Sequence, residues 1–312
     1  MEQIRCIFCD RSNKDVAITE NGFTGVTCHE CRLIYISPRP SADAVENIYT
    51  DEHAVLYADA QFQFDAFNRM EAARTVEKIR SLKEKGTLLE LGPGGGCFLA
   101  EARGAGYEPY GIELNPIEAG WINQTLRIPC ESQDLSETSF DGKKFDIIYH
   151  RDVLSHLPNP IESFQAMNRA LNNDGLLIFE TGNIADVKKK YLKYFSQFSY
   201  PDHLFFFGER SLNLLLQRSG FEILRIEREP IILQLVLQKA LWWIKDSLKD
   251  KNVATDLRSK HRDKEPERLT VKRRLRLLYR YVRHYLVRLS APLPKKGRPL
   301  KLVITAKKAT PA

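Results

Sequence analysis

A chain of 312 residues, 43% hydrophobic and 28% charged, has a soluble globular composition and is long enough for one core of ordinary size with one or two appendages. The opening MEQIRCIFCD carries charges and no apolar h-region, so no secretory leader is expected there. No stretch reaches the roughly 18 uninterrupted apolar residues of a bilayer span; the closest, Ile231 to Ile244, is broken by Gln234, Gln238 and Lys239.

These features predict a cytoplasmic protein, whose cysteines are metal ligands or buried thiols rather than disulfides. Cys6-Ile-Phe-Cys9 and Cys28-His-Glu-Cys31 form two CxxC pairs with 18 residues between them. Two such knuckles close a tetrahedral site, and four protein ligands with no open position predict a structural zinc ribbon. Buried or redox thiols are the plainer alternative. Cys97 and Cys130 stand alone and are expected to be packing residues. A short strand, Leu33 to Ile36, leads into Ser-Pro-Arg-Pro-Ser (37–41), a stiff linker by its proline content. Ser41 is placed to cap a helix beginning near Ala42.

A charged helix over about 65–85 ends at Gly86. Thr87 to Leu91 then reads as a short apolar strand running into Gly92-Pro93-Gly94-Gly95-Gly96 and a following helix. This is how a doubly wound sheet begins, with its ligand at the carboxyl ends of the strands. A dinucleotide fingerprint counted from Gly92 needs a small residue where Cys97 stands; counted from Gly94 it meets Leu99. The pattern is instead acid-x-G-x-G-x-G, with Glu90 two residues before the first glycine. A carboxylate there repels a pyrophosphate and suits a cationic amino acid moiety. In these residues the chain resembles class I S-adenosylmethionine-dependent methyltransferases.

The pieces that follow extend the resemblance. Tyr110 to Pro116 reads as a second strand ending in Glu113, 21 residues after Gly92, where an acid can accept both ribose hydroxyls. Ile128 to Leu135 resembles the third strand and its loop, with Asp134 matching the residue that meets the adenine amino group and Leu135 beside it. Phe145 to His150 is the fourth strand. Val153-Leu-Ser-His-Leu-Pro-Asn-Pro160 resembles the family's V-L-E-H-L-x-D-P, departing from it at Ser155 and Asn159. Gly175 to Glu180 is the fifth strand, after a helix over 161–171. The resemblance implies a cofactor set of Glu90, Gly92, Gly94, Gly96, Glu113, Leu114, Asp134, Leu135 and His150.

The acceptor belongs near the ends of the fourth and fifth strands, where His150, Asp152 and Asn183 are candidates. A second candidate lies in Tyr200-Pro-Asp-His203-Leu-Phe-Phe-Phe207, followed by Ser211-Leu212 and Leu214 to Phe221. This resembles the HLxxFS…SLxxLLxxxGF segment of the broad group of ubiquinone-pathway and glycan-modifying methyltransferases. His203 matches its histidine, and imidazole suits a general base. His203 and His150 are therefore the expected catalytic residues, with His156 expected to pack at a helix start.

Phe221 to Glu227 reads as strand six, and Leu300 to Ala306 as an antiparallel strand seven. Between them Ile231 to Leu248 is a broadly apolar helix. A second helix sets Val271, Leu275, Leu278, Val282, Tyr285 and Leu289 on one face, with Arg273, Arg276, Arg280, Arg283 and Arg288 on the others. The net charge of +7 sits here: residues 231–312 hold 22 Lys+Arg against 6 Asp+Glu, and residues 1–230 hold 25 against 34. A basic amphipathic helix of this kind suits an anionic headgroup region, although it could instead cover its own core or bind RNA.

The expected fold is thus α/β, a seven-stranded Rossmann-like methyltransferase sheet with a small N-terminal zinc ribbon and a C-terminal basic helical insertion before the last strand. The expected domains are a ribbon (1–40), a helical linker or lid (41–85), a cofactor-binding core (86–230), the insertion (231–298) and the last core strand and tail (299–312). The resemblance implies O-methylation of a sugar or lipid-linked glycan precursor, by a protein that could be peripheral at the inner face of the membrane. The alternatives are an RNA methyltransferase using the basic segment and a non-catalytic cofactor-and-zinc scaffold.

Overall fold

The computed structural model describes residues 1–41, 44, 66–133, 135, 140–247, 278, 281–282, 285–286, 289 and 292–310. The ribbon contributes β1 (Val16–Glu20), β2 (Phe23–Thr27) and β3 (Ile34–Ile36). Helix α1 (Ala66–Arg80) precedes β4 (Thr87–Leu91), α2 (Cys97–Gly104), β5 (Glu108–Ile112), α3 (Pro116–Trp121) and β6 (Cys130–Glu131). Then come β7 (Phe145–Arg151), α4 (Pro160–Ala170), β8 (Leu171–Gly182), β9 (Phe205–Phe206), α5 (Glu209–Arg218), β10 (Phe221–Pro230), α6 (Ile232–Ser247) and β11 (Leu300–Lys308).

Seven strands form one sheet in the order β10-β11-β8-β7-β4-β5-β6. Strands β8, β7, β4, β5 and β6 run parallel, and β11 is antiparallel to both β8 and β10. From β4 the chain winds outward through β5 to β6, then returns to the other side of β4 as β7. That reversal opens a crevice at the carboxyl ends of β4 and β7. Leu88, Leu89, Glu90 and Leu91 of β4 are all buried, as a strand covered on both faces requires.

One face of the sheet packs Val76 and Ile79 of α1 and Phe98, Leu99 and Ala102 of α2. The other packs Phe164 and Met167 of α4 and Leu212, Leu215 and Leu216 of α5. The ribbon's Cys6, Phe8, Val26, Cys28, Cys31, Leu33 and Tyr35 belong to that second core. Arg218 at the end of α5 fastens the contact: its guanidinium donates to the Phe8 carbonyl at 2.6 Å and lies 5.6 Å from the Phe8 ring centroid.

The ribbon also has a strand from far along the chain. β9 pairs antiparallel with β3, giving a second sheet β1-β2-β3-β9. Residues 37–41 are correspondingly not a free linker. Ser37 Oγ accepts from the Ile4 amide at 3.1 Å, and Arg39 is buried, bonded to Glu2 at 2.7 Å and to the Pro158 carbonyl at 3.0 Å. Ser41 Oγ accepts from the Ala44 amide at 3.4 Å, the N-cap geometry its sequence position predicts. Among the described residues no helix is long and apolar enough to cross a membrane.

Candidate functional site

The loop after β4 turns back on itself because its glycines adopt a left-handed conformation that costs a residue with a Cβ. Gly92, Gly94 and Gly96 have φ of 66°, 52° and 76°. A Cβ on Gly92 would lie 2.8 Å from Val153 Cγ2, and one on Gly96 would lie 2.6 Å from Leu126 Cδ1. The loop is thereby pressed between the segment after β7 and the turn after α3.

Glu113, at the end of β5, is tied to this loop. Its two carboxylate oxygens accept from the Gly94 amide at 2.9 Å and the Asn115 amide at 3.0 Å. Burial raises its pKa, and those two amides hold it down. Glu90 is 6% exposed, and its Oε2 has no partner. Burial lifts its carboxyl to about 8, with Arg151 opposing and Glu113 adding to the shift. Glu118 on α3 is a third acid at the same place, 5% exposed, with Oε1 unpartnered and directed at Gly94. Burial and then Glu113 lift it to about 7. Sequence reasoning missed Glu118; one helical turn from Asn115, which caps α3 by accepting from Ile117 and Glu118, it was placed to turn inward.

Three buried acids around a glycine loop make an electronegative cleft. A cation entering it would satisfy the orphaned oxygens and pull the carboxyls back into their ionised form. A polyphosphate would be repelled. The Leu114 carbonyl accepts from Ser132 Oγ at 3.1 Å, and Leu135 packs against the core. Asp134 lies outside the described residues.

His150 is corrected. Strand residues alternate between faces, and in register β7 places Tyr149 beside Glu90 and His150 beside Leu91. His150 therefore points away from Glu90, at 0% exposure, stacked 5.0 Å from Phe179 and edge-on to Phe164. Both ring nitrogens lack partners, and burial lowers its pKa to about 3. Its imidazole is a neutral core group on the face of the sheet opposite Glu90.

Tyr149 and Arg151 stand on Glu90's face, and Arg151 is the one beyond the strand pairing. Arg151 carries the charge there. It is exposed yet close to the carboxyl groups of Glu180, Asp152 and Glu90, so it lines the crevice. Glu180 on β8, 4% exposed, accepts from Tyr149 Oη at 3.1 Å and Lys301 Nζ at 3.0 Å. Lys301 also pairs with Glu229 at 3.1 Å, and its carboxylate neighbours raise its pKa against the effect of burial. Asp152, with φ 58°, donates its amide to the Glu180 carbonyl at 3.1 Å. Asn183 is spent structurally, its side chain bonded to the Leu300 amide at 2.8 Å and the Arg298 carbonyl at 3.1 Å.

His203 reaches the same rim from β9's approach. Its ring stands 4.6 Å from that of His156, and His156 Nδ1 is 3.0 Å from Asp202 Oδ1. Asp202 thus partners His156, and the pKa of His203 is lowered to about 4, chiefly by burial. The His156 amide donates to the carbonyl of Val153, whose side chain lies against Gly92, which sets this cluster beside the crevice.

At the ribbon, Cys6, Cys9, Cys28 and Cys31 come together with their sulfurs within 4.8 Å of one another. Cys6 and Cys31 Sγ are 3.4 Å apart, and none is in a disulfide. Cys6, Cys28 and Cys31 are at most 2% exposed. The two knuckles are alike in backbone: Asp10 and Arg32, one residue past each pair, have φ of 47° and 66°. Their amides donate back to the carbonyls of Cys6 and Cys28 at 2.9 Å.

A family sequence model described as "Methyltransferase domain" matches residues 64–226. A tRNA U34 carboxymethyltransferase of Aliarcobacter butzleri is 26% identical over 148 residues, 46% of this chain and 48% of its own length. A ubiquinone biosynthesis O-methyltransferase of Haemophilus ducreyi is 27% identical over 106 residues, 31% of this chain and 45% of its own. The chain thus spans about half the length of these curated relatives. Among solved structures, a Burkholderia thailandensis 1,6-didemethyltoxoflavin-N1-methyltransferase, crystallised with S-adenosylhomocysteine, superposes with TM-score 0.51 at 14% identity, covering 95% of this chain and 100% of that one.

Proposed function

We infer the activity of this protein from one established point, that the chain belongs to the methyltransferase-domain family: it transfers the methyl group of S-adenosylmethionine to a hydroxyl of a sugar or lipid-linked glycan precursor. The observation that carries the cofactor is the trio Glu90, Glu113 and Glu118 around the glycine loop, with buried oxygens of Glu90 and Glu118 unpartnered. When bound, S-adenosylmethionine supplies a methyl group activated by its sulfonium. Glu90 is assigned to the ammonium group and Glu113 to the ribose. Asp134 and the Leu135 backbone are assigned to the adenine. Gly92, Gly94 and Gly96 let the backbone close on the ligand, and Leu114 borders it.

The acceptor hydroxyl belongs at the carboxyl ends of β7 and β8, between Arg151 and the cluster containing His203. His203 remains the acceptor-side histidine of this reading on position alone. The four cysteines are assigned to a structural zinc ion: tetrahedral Zn–S bonds of about 2.3 Å need sulfurs as closely grouped as these are. The acceptor class rests on the resemblance of the 200–221 segment to glycan-modifying enzymes. An RNA acceptor is the second reading, favoured by the basic segment and by the tRNA-modifying relative.

Calorimetric titration with S-adenosylmethionine, beside Glu113→Ala, tests the cofactor site. Micromolar binding weakened tenfold or more (about 1.4 kcal/mol) is expected. Absence of binding to folded protein overturns the assignment. Transfer of labelled methyl to a glycolipid extract, and not to RNA, is expected of the leading reading; the reverse selects the second.

A further inference from the structure

We propose that His156, Asp202 and His203 form a second metal site, which takes a divalent transition cation in a two-histidine, one-carboxylate arrangement at the rim of the crevice. The three side chains offer ligand atoms that all lie within 4.8 Å of one another. They come from two segments far apart in sequence, brought together by the fold. His156 ends a short 3-10 turn (Leu154–His156), and Asp202 and His203 directly precede β9.

The backbone holds the two segments in place without help from an ion. The Leu204 amide donates to the Ser155 carbonyl at 2.8 Å, His203 to Ser199 at 2.9 Å and His156 to Val153 at 2.9 Å. The cluster therefore does not depend on surface side chains finding one another.

A free nitrogen on His203 points the same way. Its Nδ1 is buried and has no hydrogen-bond partner. Buried polar atoms are ordinarily paired, and a metal ion would supply the partner this nitrogen lacks. The His156 ring stands nearly perpendicular to that of His203, at 81°, and Asp202 brings the one formal negative charge. Phe206 closes one side of the cluster, 5.8 Å from the His203 ring. The side chains of His156 and Asp202 keep 24% and 21% exposure, enough for an ion to enter and retain solvent ligands. Imidazole and carboxylate together favour zinc, cobalt, iron(II) or nickel over calcium or magnesium.

The site goes beyond the methyl-transfer reading and does not need it; cation binding is measured without turnover. The test uses full-length, tag-free protein carrying one zinc per chain on its cysteines, dialysed against cobalt(II). One further equivalent of cobalt is expected, with the weak visible absorption of nitrogen and oxygen ligation and no thiolate charge-transfer band. Asp202→Asn and His203→Ala are expected to weaken it at least tenfold while keeping one zinc, which shows that the ribbon remains folded. Uptake of no cobalt beyond the zinc overturns the proposal. So does a second equivalent that survives both substitutions, or one that brings thiolate absorption and displaces zinc.

Discussion

Glu90 is where local chemistry speaks most directly. Its position two residues before the first loop glycine was readable from spacing alone, and so was the charge preference it implies. What spacing could not give is its state: burial lifts the carboxyl to about 8, so at neutral pH the ligand-free protein holds it protonated. Two consequences follow, and they have opposite signs. A cationic ligand binds the ionised form, so affinity for S-adenosylmethionine should rise between pH 6 and about 8, by at most tenfold per unit for one proton released. Stability of the free protein should fall over the same range. The folded pKa lies above the unfolded value of about 4.3, so the native state holds a proton that the unfolded chain has lost, and the loss of stability accumulates from there to about pH 8. Glu90→Gln removes both dependences. Calorimetry is expected to show affinity reduced tenfold or more, and thermal melts to show a gain in stability that grows with pH to a few kcal/mol at pH 8. A flat pH profile in the parent protein would defeat the account. The sequence also contained a signal that went unused. Period-two alternation puts Tyr149 and Arg151, not His150, on the face of Glu90, but only once the register of β7 against β4 is known.

Regular elements were legible wherever their pattern is local: β4 with its glycine turn, the alternation of strand and helix to β8, and the final antiparallel strand. The two-residue strand β9 was not, because nothing in Phe205-Phe206 announces a partner some 170 positions earlier. That pairing changes what the ribbon does. Ile34 and Tyr35 of β3 stand opposite Phe206 and Phe205. Ile18, Ile34 and Ile36 share a small core with Tyr200 and Phe206. The Glu20 carboxylate accepts from the amides of Phe198 and Tyr200 at 2.8 and 2.9 Å. The segment bearing Asp202 and His203 is thus fastened at both ends to the cysteine ribbon, whereas Glu90, Glu113 and Glu118 hang on the large sheet. Removal of the proposed zinc by a chelator, or Cys28→Ser, should therefore separate the two halves of the site. Affinity for S-adenosylmethionine is expected to change less than threefold. Methyl transfer should be lost, and amide exchange at 198–207 should rise with that of the ribbon. Parallel loss of cofactor affinity would show the ribbon to be a prop for the whole fold.

For the molecule as a whole the deciding quantity is where charge and exposed apolar surface coincide. Residues 1–230 are net acidic, and residues 231–312 hold 22 Lys+Arg against 6 Asp+Glu. The start of α6 is spent on the core, since Ile232 and Leu235 are 7% and 8% exposed. Further along, Leu278, Val282, Tyr285 and Leu289 are helical positions spaced four, three and four apart, and they are 59%, 42%, 61% and 65% exposed. Tyr281, at the edge of the same face, stands edge-on to Phe67 of α1 at 5.3 Å, so the exposed apolar positions run beside that contact. Arg273, Arg276, Arg280, Arg283 and Arg288 lie outside the described residues; their contribution here is charge. An apolar stripe in a basic segment fits an anionic bilayer surface better than RNA. Burying a leucine contributes about 1.5–3 kcal/mol and each basic residue near the surface about 1 kcal/mol, whereas RNA rewards charge and aromatic stacking but not leucines. The two partners therefore separate by mutation. Full-length protein should sediment with phosphatidylglycerol vesicles and not with phosphatidylcholine vesicles, and the binding should weaken as salt rises. Leu278→Glu with Leu289→Glu should abolish vesicle binding while leaving affinity for S-adenosylmethionine intact. An RNA-binding role predicts the opposite pattern, with little dependence on the two leucines and a steep dependence on salt. A lipid-linked acceptor would then reach the crevice from a surface on which the enzyme is already held.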